Sequence, residues 1–214
     1  MARIREFDEK LALNKAIELF WQKGYANSSM REMVSYTGVA HAGLYAAFGG
    51  KEALFIAALE KYQTGLFANL FAGVESPRAD LKDIQKLFRF LISAPQDKHF
   101  RFGCFLVNSA NEFLQPNEKA SKKEMKSSGI KVATYPNINK LLQATFERKK
   151  QAFSKALKNA IEKSQIPKNT DVDAISAQCL TLYYGATTLI RSGLSDDTIK
   201  QSVEIFLKQL KASN

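Results

Sequence analysis

The sequence predicts an all-α protein: an N-terminal three-helix helix-turn-helix domain followed by a larger C-terminal helical domain, about nine helices in all. Three observations carry this. Apolar residues recur at three- and four-residue spacing along most of the 214 residues. Strand-like alternation never lasts more than a few residues. Glycine, serine and proline punctuate the helical runs where helices start and stop.

The first helix is read from Leu13, Ala16, Ile17 and Phe20, an amphipathic stripe that Gly24 ends. Tyr25 opens a short connection to Ser29. Ser29 and Glu32 stand at capping-box spacing, so a second helix starts there, with Met30, Met33 and Val34 as its apolar stripe. Gly38 follows its last turn, where a left-handed residue closes a helix at no steric cost. A third helix turns Val39, Leu44 and Phe48 inward and leaves His41, Ala42, Tyr45 and Ala46 outside. Gly49 and Gly50 break it, and a further helix begins near Lys51. Two short helices joined by a tight glycine turn form a helix-turn-helix, which lays its second helix in the DNA major groove.

Beyond this unit the helical pattern continues. A connector helix is expected over 51–72, with Leu54, Ala58, Tyr62, Phe67 and Phe71, ending at Gly73. Ser76 and Pro77 stand as N-cap and first residue of the next helix, whose stripe is Leu81, Ile84, Leu87, Phe88 and Leu91 before Pro95. Residues 103–114 form a short apolar helix, and the lysine-rich stretch 116–137 a loop or mobile segment. Long amphipathic helices follow over 138–165 and 172–192. Ser195 caps the last helix, which carries Ile199, Val203, Phe206, Leu207 and Leu210. The expected domains are 1–50, the helix-turn-helix, and 51–214, the larger helical domain.

The net charge of +10 is concentrated in one place. Residues 119–168 carry thirteen Lys and Arg against three Asp and Glu, whereas residues 1–50 carry six against five. The block reads as a solvated helix face, with a second DNA surface or an acidic ligand's entry path as the functional alternatives. A nearly neutral helix-turn-helix still binds DNA, because phosphate contacts draw on backbone amides, hydroxyls and a few placed cations.

Enzymatic chemistry has little to work with. There are two histidines, His41 and His99, and two cysteines, Cys104 and Cys179. Neither zinc-ligand spacing nor a phosphate-binding glycine loop is present, so no metal and no cofactor is expected. The cysteines read as buried free thiols. No run of eighteen apolar residues occurs, so no membrane partner is expected, and MARIREFDEK lacks the apolar stretch of a signal peptide. A cytoplasmic location is the expectation. Fifteen phenylalanines supply material for an apolar ligand site. Phe88, Leu91, Phe105, Phe146, Phe153, Tyr183 and Tyr184 are its candidate lining, with Asn108 as a polar group pointing inward.

Residues 11 to 60 resemble the DNA-binding domain of the TetR (tetracycline-repressor-like) family. The resemblance rests on Ala16, Leu19, Phe20, Gly24, Tyr25, Ser29, Gly38 and Val39, then on Leu44, Tyr45, Phe48, Lys51 and Leu54 in the spacing L-Y-x-x-F-x-x-K-x-x-L. It implies a ligand-responsive repressor that binds a palindromic double-stranded operator as a homodimer and is released by a small, largely apolar effector. In that family the last two long helices pair across the dimer; here Gly185, Ala186, Thr187 and Thr188 would allow the close approach. By the same resemblance Ser29 and Tyr45 contact phosphates through their hydroxyls and Lys51 through its ammonium. Arg31 and His41 read base edges. Ala42, Gly43, Ala46 and Ala47 let the backbone come close and touch thymine methyls, and Ala40, a poor cap at the start of that helix, is a further candidate contact. A helical carrier for a hydrophobic molecule, without DNA binding, is the alternative.

Overall fold

The first helix, α1 (Glu9–Lys23), starts where Asp8 accepts hydrogen bonds from the Lys10 and Leu11 amides at 2.9 and 3.0 Å. Those amides have no partner within the helix, and an acid at that end also meets the positive pole of the helix dipole. The computed structural model describes residues 7–96, 100–113, 135–194 and 196–212. After α1 come α2 (Met30–Thr37), α3 (His41–Phe48), α4 (Lys51–Thr64), α5 (Leu66–Glu75) and α6 (Leu81–Ser93). A 3-10 turn at Ala94–Gln96 leads on to α7 (Phe105–Phe113), α8 (Pro136–Glu162), α9 (Val172–Ser192) and α10 (Asp196–Ala212). Among the described residues there is no strand, and no single helix is long and apolar enough to cross a membrane.

Two departures from the expected helix ends have physical causes. The connector expected over 51–72 is two helices, broken at Gly65, whose ψ of −106° is far from helical. A Cβ there would lie 3.0 Å from the Lys61 carbonyl oxygen, so a larger residue would press on the turn that closes α4. Ser76 and Pro77 do not open α6. Ser76 closes α5, and Asp80 caps α6 in a box with Asp83, whose Oδ2 accepts from the Asp80 amide at 2.9 Å. A reciprocal pair of carboxylates satisfies two free donors where a serine would satisfy one. The expected loop over 116–137 lies largely outside the described residues, and Pro136 already begins α8. Ser195, expected to cap the last helix, also lies outside them.

The chain divides into two compact units, residues 1–59 with 108–143, and residues 60–107 with 144–214. The division falls inside α4, α7 and α8 rather than at residue 50. The cause is that residues 108–113 and the start of α8 pack with the first helices.

The core of the first unit is Ala12, Ala16, Leu19, Phe20, Met33, Leu44, Leu54 and Phe55. Leu13 and Ile17, read as part of the α1 stripe, are half-buried at its margin. In the second unit Phe67, Phe71, Phe88, Phe105, Phe153 and Tyr183 are each buried to 1% exposure or less. Along α8, Phe146, Lys149, Phe153, Ala156, Leu157 and Ala160 repeat at three- and four-residue steps and are all buried.

Lys149 is the exception to the reading of the basic block as a solvated face. Arg148, Lys155 and Lys158 are exposed, but Lys149 is fully buried. Its Nζ lies 2.8 Å from Glu75 Oε1 and 4.6 and 4.4 Å from the Phe67 and Phe71 ring centres. Burial pulls its pKa down and the Glu75 carboxylate opposes that.

A second polar cluster joins the start of α6 to the turn after α8. Asp80 accepts from the Lys82 amide at 2.9 Å, Lys163 Nζ at 2.7 Å and Gln165 Nε2 at 3.1 Å. Asn159 Nδ2 donates to the Ala79 carbonyl at 2.8 Å. The hydrogen bond from Lys163 is the largest cause holding the Asp80 carboxyl down at about 2, from 3.8. A carboxyl lowered on folding contributes stability above its unfolded pKa and loses it as pH falls through the folded value. Asp80→Asn is therefore expected to lower stability at pH 7 by about 1–2 kcal/mol. Its melting temperature should also fall less than wild type between pH 4 and pH 2. Thermal melts across that range check both effects.

Candidate nucleic-acid interface

The reader is built by α1, α2 and α3. Ser29 is the N-cap of α2, its Oγ accepting from the Glu32 amide at 3.1 Å. The Glu32 carboxylate does not complete a capping box; it pairs with Lys23 at the end of α1 and so ties the two helices together. Tyr36 OH donates to Glu18 Oε2 at 3.1 Å and Lys15 Nζ to the Thr37 carbonyl at 3.4 Å, two further α1–α2 bonds. Gly38, in the left-handed region at φ 76°, makes the turn into α3. Ala40 gives α3 no side-chain cap, so the amides at that end are left to solvent or to a ligand.

The outer face carries most of the residues expected there. Ser29, Arg31, Ala40, His41, Ala42 and Tyr45 are exposed, and Tyr45 is 44% exposed. The His41 and Tyr45 rings lie 4.5 Å apart, one turn from each other on α3. Each therefore limits the other's rotamers and narrows where the Tyr45 hydroxyl points. Lys51 sits differently from a free surface cation. It is half-buried at the start of α4, with Nζ 4.1 Å from the centre of the Tyr25 ring. Burial lowers its pKa and the Glu112 charge opposes that.

Gly43 has another neighbour than the one expected of it. It is half-buried, and a Cβ there would lie 3.1 Å from Val39 Cγ1 and 3.3 Å from Phe7 Cε1. The space a side chain would need is occupied by the ring of Phe7, just ahead of α1. No local pattern in the sequence signals Phe7, because it acts from 36 positions away in the chain.

The candidate ligand residues fall into separate places. Phe88, Phe105, Phe153 and Tyr183 are inside the aromatic core of the second unit, with Leu91 buried nearby on α6. Phe88 meets Phe153 at 6.1 Å and Phe206 at 5.2 Å between ring centres. Phe146 and Tyr184 make a pair of their own at 4.5 Å. Asn108 belongs to the first unit. A cleft of about 410 Å³ in the second unit is lined by other residues, Gln85, Arg89, Ile92, Glu204, Leu207 and Lys208.

Cys104 is buried, with Tyr62 OH 3.9 Å from its Sγ, and burial pushes the thiol pKa up. Its conceivable partner His99 lies outside the described residues. Among the described residues no three His, Cys, Asp or Glu side chains come together to hold a metal.

The contact of Gly43 with Phe7 leads to a measurable coupling. In an open helix Gly→Ala gains about 1 kcal/mol. Gly43→Ala is expected to gain less than that in the wild type, and more once Phe7→Ala has removed the ring, with the Val39 contact still holding it below the full amount. Chemical denaturation of the two single variants and the double variant gives the coupling; strict additivity would contradict the contact.

Comparison with known proteins agrees with this geometry. Residues 12–58 match the family described as "Bacterial regulatory proteins, tetR family". The chain is 25% identical over 211 residues to the uncharacterized HTH-type transcriptional regulator YezE of Bacillus subtilis (strain 168), covering 98% of this chain and 100% of that protein. It is 29% identical over 203 residues to the HTH-type transcriptional repressor ComR of Escherichia coli (strain K12), covering 93% and 87%. The fold is that of the regulator CifR, a TetR family protein whose cysteine mutant is complexed with a 26-bp operator duplex. The TM-score is 0.77 at 21% identity, over 98% of this chain and 100% of that one. The match covers the three helices that build the reader, and the likeness extends over the rest of the chain: residues 12–58 are a DNA-binding domain of the TetR family of bacterial regulatory proteins, carried on a chain with the TetR fold.

Proposed function

We propose that this regulator binds a palindromic operator as a homodimer, represses transcription in the cytoplasm, and leaves the DNA when a small, largely apolar effector binds its second unit. The observation that carries the reading is the exposed face of α3, with Ser29 and Arg31 at the start of α2 and Lys51 at the start of α4. Ser29 and Tyr45 give phosphate contacts through hydroxyls, and Lys51 through a cation backed by the α4 N-terminus. Arg31 and His41 are the base readers, and an arginine pairs best with a guanine edge. Ala40, Ala42 and Gly43 keep that face of the reader low.

A dimer spaces two such helices about 34–36 Å apart along the duplex. Its support here is the outer face of the last two helices. Ile205 on α10 is 56% exposed, and Leu194 between α9 and α10 is 60% exposed. A Cβ added at Gly185 on α9 would meet nothing within 4 Å, so a second chain could approach there. Thr188 is exposed beside it, whereas Ala186 and Thr187 point inward and serve the subunit's own core.

Phe88, Leu91, Phe105, Phe146, Phe153, Tyr183 and Tyr184, with Asn108, remain the residues proposed to respond to the effector. Because several are packed in the core, the effector must displace or reorder aromatic contacts. That gives it different affinities for two arrangements, a coupling of roughly 1–3 kcal/mol.

Operator binding by point variants tests the reading. Arg31→Ala is expected to cost about 1–3 kcal/mol and to relax base preference at one position of each half-site. Tyr45→Phe should weaken all duplexes by a similar, smaller factor, about threefold to tenfold for one lost phosphate hydrogen bond. Wild-type affinity in both variants, measured by fluorescence anisotropy, would contradict the assignment.

A further inference from the structure

We propose that Glu112 is a positioning residue of the DNA reader: its carboxylate holds the Gly24–Ala26 turn beside Lys51 in the arrangement the operator requires. The inference rests on the reading of this chain as an operator-binding protein. Glu112 lies on α7, 87 residues along the chain from Tyr25. Its Oε2 accepts from the Tyr25 amide at 2.9 Å and its Oε1 from the Ala26 amide at 2.5 Å. Both oxygens thus bind backbone donors of the turn between α1 and α2, and charge-assisted bonds of this kind are the strong ones.

The surroundings are shaped to the clasp: Gly24 has φ +81°, a conformation that favours glycine, and a Cβ on it would lie 2.9 Å from Glu112 Oε2, so a larger residue there would push the carboxylate aside.

The clasp reaches the DNA-facing residues by short steps. The Tyr25 ring lies under Lys51 Nζ, and the Glu112 charge opposes the effect of burial on that ammonium. Ser28 Oγ donates to the Gly24 carbonyl at 2.6 Å, and Ser29 caps α2 immediately afterwards. The turn that Glu112 holds therefore sets where α2 starts, and with it the reach of Arg31 to the bases, as well as where Lys51 sits. α7 is a single helix, and its first residues, Phe105–Val107, belong to the second unit. A rotation or slide of α7 would move Glu112 with it.

The test begins with a duplex selected by the wild-type protein from a random-sequence pool. Wild type, Glu112→Gln and Glu112→Ala are then compared on that duplex and on a scrambled one. Helical melting establishes that each is folded; should Glu112→Ala fail to fold, Glu112→Gln carries the comparison.

Glu112→Ala is expected to lose about tenfold or more on the selected duplex, the worth of a charged hydrogen bond, and less than about twofold on the scrambled one. Glu112→Gln, which keeps one acceptor oxygen, should fall between, and exchange of the Tyr25 and Ala26 amides should quicken in the same order. Wild-type affinity in Glu112→Ala, equal losses on both duplexes, or no rescue by glutamine would overturn the proposal. Failure of the wild type to enrich any duplex would instead overturn the operator reading, and the role of the clasp with it.

Discussion

The ring of Tyr25 is the contact on which the first unit depends. It meets Phe55 of α4 at 5.0 Å, Phe113 of α7 at 5.2 Å and Tyr135 at 5.2 Å between ring centres, and stacks with Phe20 of α1 at 6.3 Å. Aromatic pairs at these separations add about 0.5–1.5 kcal/mol each beyond their area burial. One side chain in the short connection between α1 and α2 thus gathers segments from three distant parts of the chain. Burial, the Tyr135 contact and nearby carboxylates all push its pKa up, so the phenol stays neutral. A helix-turn-helix of some fifty residues is short of core by itself. Residues 108–113 and the start of α8 make up the deficit.

What could be read from the sequence was local. Gly24, Gly38 and Ser29 mark helix ends because the backbone there needs a left-handed residue or a side-chain oxygen, whatever lies elsewhere in the chain. The bounds of α9 follow for the same reason, with Asp171 as cap and Gly193 as stop. Gly65 was not legible as a break, because the apolar stripe runs across it unchanged. Asp80 carries a local signal, Asp83 three residues on, but Ser76–Pro77 offers a competing helix start, and the Lys163 and Gln165 bonds that add to Asp80 come from more than eighty residues away. The Phe7 ring over Gly43 and the Glu112 clasp are distant contacts of the same kind, invisible to spacing.

Charge shows the same division between local and distant. The exposed cations of α8 read correctly as a solvated face, but Lys149 reads no differently from Arg148 in the sequence. Only the fold turns it inward, against Glu75, Phe67 and Phe71. A buried ion pair of this sort contributes little net stability, yet losing one partner strands a charge and costs several kcal/mol. The reader, by contrast, is nearly neutral, and its cations are few and individually placed. On the contacts proposed for Arg31 and Lys51, affinity for DNA depends on where these two are held more than on how many charges the chain carries, and the turn under Tyr25 sets the place of Lys51.

Hydroxyl-radical footprinting of the wild-type protein on a duplex it has selected tests this account most directly. The account predicts two symmetric protected patches centred about one helical turn apart, with base-specific protection inside each. A single patch, or protection spread evenly along the duplex at low salt, would contradict it.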